Sequence, residues 1–265
     1  MAALINRILG EKAPDFATIM ALLCIWSTNS MSISAPDFST VGVGLYIKSA
    51  WANHSCDANA HLVFNGITAH VVASKSIPEG TQIFVSYVDQ TLSRAQRKLE
   101  LERYFFECKC RLCVSAIDIL GTNTTALDQL PTCVSVETLE SLDDLLGALE
   151  VQTKHYTATH ASLFRTRELL IPKLIDNQNW RLLIDTCQMQ IEAYSIVFGH
   201  AHPVGSVLSY HVFKAALNLD DMEVARIYGE RCVRLLRCTH GSENELYCEA
   251  LQAYKMLCLE LTSSG

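Results

Sequence analysis

From about residue 135 to the C-terminus, every long segment repeats its apolar residues at helical spacing. The segments are "VETLESLDDLLGALEV", "SLFRTRELLIPKLI", "WRLLIDTCQMQIEAYSIVF", "VGSVLSYHVFKAALNL", "EVARIYGERCVRLLRC" and "NELYCEALQAYKMLCLEL". Apolar recurrence at i, i+3, i+4 and i+7 gives each one a face that must be buried against a neighbour. Nearly half the chain is therefore committed to stacked helices, and an all-β fold is excluded. Two stretches, "WRLLIDTCQMQIEAYSIVFGHAH" and "MEVARIYGERCVRLLRCTHGSEN", superpose with an offset of about 42 residues, each a helix followed by a Gly-His turn. They are either a helix-pair repeat of tetratricopeptide-like size, long for the standard motif, or two unrelated amphipathic helices in a bundle.

The front half reads differently. Residues 15 to 27 are apolar enough for a buried helix, too short to span a bilayer. Glu11 and Asp15 stand where a signal peptide would carry positive charge. "VGVGLYIKSAW" then turns Gly-punctuated and β-branched. "AHLVF" and "ITAHVVA" flank Asn65-Gly66, the sequence of a hairpin closed by a type I′ turn. "SIPEG" predicts a turn and "TQIFVSYV" a strand. Ser93 with Gln96 three residues on predicts a capping box, opening a helix that runs through "RAQRKLELERYFF". "AIDILGTNTTALDQLPT" is polar and turn-rich, a candidate linker.

The 265 residues allow one large domain or two ordinary ones, and the net charge of −7 offers no bulk reason to bind nucleic acid. An acidic chain can still attract Lys-rich tails. There are 11 cysteines, an odd number, and no secretory signal, which predicts reduced thiols and a cytoplasmic or nuclear home. Cys108, Cys110 and Cys113 form a C-x-C-x-x-C run. No regular helix or strand turns all three the same way, whereas a loop can converge them on one ion. Zinc takes four soft ligands in a tetrahedron. The fourth must come from elsewhere, and Cys56, beside Asn53-His54, is the candidate. Cys24, Cys187, Cys232, Cys248 and Cys258 fall in apolar helical segments and are expected to pack as small hydrophobes. Cys133 and Cys238 stay open. His61, His70, His200, His202 and His211 have no chemical company and read as structural.

Together these residues resemble one family. "NHSCDAN" resembles the N-H-S-C-x-P-N motif of SET-domain protein methyltransferases, "VSYVD" the tyrosine strand that follows it, and "CKCRLC" the post-SET zinc cluster. "VGVGLY", "RYFFECKC" and the helical half are similar to the SET-and-MYND (SMYD) subfamily, over the stretch from about residue 15 to near the end. The resemblance implies that Asn53 and His54 contact S-adenosylmethionine, with an upstream contact from Asn29 in "TNSMSIS". It implies that Cys56 joins Cys108, Cys110 and Cys113 on zinc. Tyr87 is then the catalytic tyrosine of the lysine channel, Tyr104 its second aromatic, and Phe106 the ring that stacks near adenine. Phe106 offers a flat apolar face to a purine, and His54 offers ring and backbone groups.

The implied reaction is in-line transfer of a methyl group to a protein lysine, histone or other. The lysine must be neutral to attack, against an ordinary pKa of about 10.4. A narrow aromatic channel favours the neutral amine by excluding water.

The implied fold is α+β. Residues 1–90 form the C-terminal part of a SET domain with a preceding insert helix, and 91–115 a post-SET zinc segment. A linker at 116–134 leads to a tetratricopeptide-like helical domain at 135–265. Chaperone or chromatin partners for that array follow from the resemblance, with neither nucleic-acid nor membrane contact. Two features depart from the family. Ala58 replaces the motif proline, and neither a Gly-x-Gly cofactor loop nor a MYND finger is present, Gly42-Val43-Gly44 being in the wrong place for the former. By resemblance the chain starts inside the insert helix, as a fragment, short isoform or truncated gene model would. Weak cofactor binding and poor methylation by the chain alone are then expected. The competing function is an incomplete SET remnant that acts as an interaction module through its helices.

Overall fold

The computed structural model describes residues 1–35, 39–115 and 136–263. The candidate linker and Cys133 lie outside the described residues. The architecture is α+β: short strands and loops in the first part, stacked helices in the second.

Helix α1 (Ala2–Leu9) leads to α2 (Phe16–Asn29), which Asp15 caps by accepting from the Thr18 N–H at 2.9 Å. The sequence predicts α2 as a buried helix, but only Ile19 is buried, while Phe16, Met20, Leu22, Ile25 and Trp26 are exposed. Apolar residues run all round this helix, and among the described residues its neighbours, α1 and the strand Ser30–Ser34, cover little of it.

Strands β1 (Ser30–Ser34) and β2 (Thr40–Leu45) pair antiparallel. Strands β4 (Ala60–Asn65) and β5 (Thr68–Ala73) form the expected hairpin, with Asn65 opposite Thr68. The turn itself is shifted from the expected one. Its two central residues are Gly66 and Ile67, and only Gly66 has positive φ, at 57°. A glycine alone in the first central position belongs to a type II′ turn rather than type I′. Strand β3 (Asn53–His54) pairs parallel with β6 (Phe84–Val85). The longer strand read from "TQIFVSYV" shrinks to these two residues because β3 offers only two partners.

Helix α3 (Arg94–Leu101) opens on the predicted capping box, with both Ser93–Gln96 bonds present. It does not continue to Phe106. A 3-10 turn, Glu102–Tyr104, follows, and Phe105 then takes φ 61°, which ends helical geometry. The short α4 (Arg111–Val114) carries the last cysteine of the run.

The second part is six helices: α5 (Leu142–His155), α6 (Ala161–Asp176), α7 (Trp180–Phe198), α8 (Pro203–Asn218), α9 (Met222–Thr239) and α10 (Glu245–Ser263). Each packs on the next in chain order, around a core that includes Phe164, Leu174, Leu183, Phe213 and Leu236. The ends of α7 and α9 are marked by Gly199 and Gly241, both at positive φ, 87° and 92°. The two ends are closed differently: Gly199 is itself the C-cap of α7, whereas His240 caps α9 and Gly241 follows it. Gly229 is where α9 approaches its neighbours. A Cβ there would sit 2.5 Å from Tyr254 Cδ2 and 3.0 Å from Phe213 Cε2. Of the cysteines expected to pack as hydrophobes, Cys187 and Cys232 are buried, whereas Cys24 and Cys248 are exposed and Cys258 is partly so. Their helices are amphipathic or exposed, so membership of an apolar segment did not ensure burial. Cys238 is exposed.

The two parts meet along β4 and the loop after β6. Asn65 Nδ2 donates to the Glu243 carbonyl and Asn244 Nδ2 to the Phe64 carbonyl, each at 3.4 Å. The His61 and His202 rings, both read as merely structural, meet here with centroids 4.4 Å apart. Among the described residues, no helix is long and apolar enough to cross a membrane.

Candidate functional site

The parallel pairing of β3 with β6 brings two distant loops together. Asn53-His54-Ser55-Cys56 runs out of β3, and Ser86-Tyr87-Val88 runs out of β6 alongside it. The Ser55 N–H donates to the Val85 carbonyl at 3.0 Å, continuing the ladder. Asn59 finishes the connection: it accepts from the Phe84 N–H at 2.8 Å and donates to the Gln82 carbonyl at 2.9 Å. This asparagine, the last residue of the "NHSCDAN" motif, therefore works as a strand clamp.

Cys56 is fully buried, and its sulfur, with those of Cys108, Cys110 and Cys113, forms a group whose atoms all lie within 4.8 Å of one another. A tetrahedron of sulfurs each about 2.3 Å from a zinc ion is of that size. The donor set contains no carboxylate, which suits a soft ion. The acid–base state points the same way. Cys110 is pushed down to about 3, chiefly by the Cys56 thiol donating to it, while Cys56 is pushed far up by the same bond and by burial. Burial likewise raises Cys113, to about 11. Zinc takes its cysteine ligands as thiolates, so its binding here would release protons from the nest. The residues fit the metal.

An ion pair not recognised in the sequence reinforces the same junction. Asp57, next to Cys56, accepts from Arg111 Nε at 3.0 Å and from Lys75 Nζ at 3.3 Å. Burial opposes ionisation of Asp57, but the Arg111 hydrogen bond and the Lys75 charge outweigh it and hold the carboxyl below its ordinary range. Arg111 lies between Cys110 and Cys113, so the pair links the two segments that carry sulfur. The only sequence signal was opposite charge beside cysteines, which specifies no pairing.

His54 is 8% exposed, and both ring nitrogens are engaged. The Tyr87 backbone N–H donates to Nδ1 at 2.9 Å, which requires the neutral ring to carry its proton on Nε2, and Nε2 lies 3.2 Å from Cys56 Sγ. Burial pushes the His54 pKa down to about 4, so the ring is neutral at ordinary pH. The imidazole thus faces the sulfur nest and Tyr87, and its nitrogens are not free for a purine as the resemblance implied.

The aromatic residues gather around it. Tyr87 lies 5.0 Å from Tyr104, 5.2 Å from His54 and 6.4 Å from Phe106, centroid to centroid; Phe106 is 5.7 Å from His54. The Tyr87 hydroxyl donates to the Ala52 carbonyl at 2.7 Å. Burial raises its pKa, and Tyr104 adds to the shift, so Tyr87 remains a neutral phenol. Tyr104 OH accepts from Arg103 at 2.7 Å. Phe106 also lines an open cavity of about 460 Å³ shared with Arg94, Lys98, Leu101, Phe105 and Glu107. Asn53 sits at the edge of the cluster with an exposed side chain. Asn29 ends α2, where its amide donates to the Ile25 carbonyl and Thr28 hydroxyl, both at 3.0 Å. The structure thus brings together Cys56, Cys108, Cys110, Cys113, His54, Tyr87, Tyr104 and Phe106, with Asn53 adjoining.

Comparison with known proteins finds relatives named as methyltransferases. The family model described as "SET domain" matches residues 16–88. The histone-lysine N-methyltransferase ASHR1 of Arabidopsis thaliana is 26% identical over 292 residues, covering 91% of this chain and 61% of the relative. The N-lysine methyltransferase SMYD2-B of Danio rerio is 26% identical over 229 residues, covering 84% of this chain and 48% of the relative. The histone-lysine N-methyltransferase SMYD3 of Homo sapiens is 27% identical over 237 residues, covering 82% and 54%. The chain therefore spans about half to three-fifths of the length of these relatives. The similarity also extends well beyond the matched SET segment into the helical part. By these matches the chain holds a SET-domain segment and is similar, over most of its length, to SMYD methyltransferases.

Proposed function

We propose that this chain carries the lysine-channel side of an S-adenosylmethionine-dependent protein-lysine methyltransferase, on a site organised by zinc at Cys56, Cys108, Cys110 and Cys113. The observation that carries the reading is the gathering of Tyr87, Tyr104 and Phe106 around the segment that ends in Cys56. The relatives' printed names, histone-lysine and N-lysine methyltransferases, support the same chemistry.

S-adenosylmethionine, when bound, supplies an electrophilic sulfonium methyl group. The chain's residues do the rest. Tyr87 donates its only hydroxyl proton to the Ala52 carbonyl, so its oxygen presents lone pairs to anything in the channel. A substrate amine can donate an N–H to that oxygen and keep its own lone pair free to attack. The rings of Tyr87 and Tyr104 exclude water, which favours the neutral amine. Phe106, tilted against His54 and lining the cavity, offers a plane for a purine. Asn53, with its exposed amide, suits the amino-acid end of the cofactor. Asn29, at the end of α2, is the upstream cofactor contact that the resemblance implies. We assign residues 1–90 to SET, 91–115 to the post-SET segment, 116–134 to a linker and 135–265 to the helical domain. Protein substrates bearing lysine are the fitting class, histone tails among them. Chaperone or chromatin partners for the helices and a cytoplasmic and nuclear location belong to the same reading.

The test pairs calorimetric titration with S-adenosylmethionine and a methyl-transfer assay on lysine-bearing proteins. Binding is expected to be weak, because Asn53 and Phe106 lie at an open face, and to vanish in Phe106→Ala. Where transfer is measurable, Tyr87→Phe should lower kcat far more than cofactor affinity. No binding at about 1 mM cofactor, where a Kd corresponds to roughly 4 kcal/mol, would overturn the reading.

A further inference from the structure

Cys56 is held from a second direction. Gln90, in the loop after β6, donates from Nε2 to the Cys56 carbonyl at 3.0 Å. Its Oε1 lies 3.5 Å from Nε2 of His202, the residue that caps the N-terminus of α8. The direction of every bond in this row is set by the atoms at its ends. The Val204 N–H donates to His202 Nδ1 at 3.3 Å, so the neutral ring carries its proton on Nε2 and donates to Gln90 Oε1. The Cys56 carbonyl can only accept, so it must face the amide NH₂ of Gln90. Both ends demand the same orientation of the Gln90 amide, which is the consistency that assigns it.

The helical end of the row is rigid. His202 is 7% exposed, and its ring packs on His61 at 4.4 Å, Tyr194 at 4.8 Å and Phe198 at 5.2 Å. Burial, with His61 adding to it, keeps the His202 ring neutral, as its donor role requires. The other end is the backbone of a residue whose sulfur belongs to the four-cysteine nest. A shift of α8 relative to β6 therefore pulls on Cys56 through one side chain.

We infer that Gln90 is a positioning residue that ties the Cys56 segment to the helical array, so that events on α7 and α8 are felt at the four-cysteine centre. The tie deepens the functional reading and rests on it in taking those cysteines as a zinc centre. It gives the helical array a mechanical route to the site, distinct from holding partners.

The experiment follows zinc release from the full chain to an excess of chelator. Gln90→Glu keeps the length of the side chain and an acceptor for His202 but offers no donor to Cys56. His202→Asn keeps an oxygen that can cap Val204 but falls short of Gln90. Partners of this outer kind typically alter metal affinity by about 10- to 100-fold. We expect Gln90→Glu to release zinc about 10-fold faster, at the low end of that range. His202→Asn should release it faster by a smaller factor, and the double variant no faster than Gln90→Glu. Unchanged release, effects that multiply in the double variant, or a matching loss of melting temperature across the helical array would overturn the tie. A second readout does not depend on metal: a through-hydrogen-bond NMR coupling between the Gln90 side-chain nitrogen and the Cys56 carbonyl carbon, weakened in His202→Asn. Its absence would overturn the tie whatever the zinc result. A chain that holds no zinc yet shows the coupling would refute the metal reading and leave the tie standing.

Discussion

Replacing Arg111 with Gln should weaken the hold on zinc without touching a sulfur. Arg111 Nε lies 3.0 Å from Asp57 Oδ2, and the pair joins the Cys56 segment to the Cys110–Cys113 turn. Two unit charges 4 Å apart attract by about 1 kcal/mol in water and about 4 kcal/mol at a protein-surface dielectric. The Arg111 side chain is 63% exposed and that of Asp57 26%, which places the pair toward the watery limit. About 1 kcal/mol is the appropriate size, near the top of the range for exposed pairs. The pair joins the two sulfur-bearing segments, so it sets an upper bound on the change in metal affinity of about fivefold in Kd. Asp57→Asn removes the contact to Lys75 as well and should lose more. The double variant should match Asp57→Asn alone. The assay is competition against a chromophoric chelator at low salt and at about 1 M salt, where a Debye length of about 3 Å should erase the difference between wild type and Arg111→Gln. Equal affinities at low salt, or losses that add in the double variant, would refute the reasoning.

Cys56→Ser should reduce bound zinc from about one per chain to near none, since tetrahedral structural sites use all four ligands; elemental analysis that finds full retention removes Cys56 from the set. Gly229→Ala trades a helix-propensity gain of about 1 kcal/mol for contacts at 2.5 and 3.0 Å against Tyr254 and the fully buried Phe213. Overpacking of about 1–3 kcal/mol should win, lowering the melting temperature by a few degrees; a rise would mean that the Tyr254 ring swings away freely. Burial, with Asp89 nearby, raises the Glu168 carboxyl to about 7, so the folded chain keeps a proton that the unfolded chain releases near 4.5. That contribution to stability is full below 4.5 and is lost as pH climbs through about 7; melting curves over this range should flatten in Glu168→Gln.

Much of this protein was legible in its sequence because much of it is local. The six helices follow from apolar spacing, the Ser93 cap from two residues three apart, and the Cys108–Cys113 run from its own density. The NHSC segment and the tyrosine strand could be named by resemblance alone. The errors fall where a local signal needed a neighbour to complete it. Helix α2 was apolar enough to be buried, yet burial depends on what lies against it. The strand around "TQIFVSYV" shrank to the length of its partner. The Asn65-Gly66 signal placed a hairpin correctly but missed the turn by one residue, because cross-strand register decides which pair occupies the corner.

The sequence by itself determined which segments are helical and where the thiols concentrate; the candidate channel residues were named by resemblance. Tertiary structure alone decided which way the His54 ring faces, that Asp57 meets Arg111, and that Gln90 stands between Cys56 and His202. Those facts depend on the two-residue parallel pairing of β3 with β6 and on the meeting of His202, the N-cap of α8, with His61 of β4. The partners are separated by 54 residues for Asp57–Arg111 and by 112 for Gln90–His202. A side chain's spacing along the chain encodes its face on a helix or strand, but its hydrogen-bond partner is set by where distant elements come to rest.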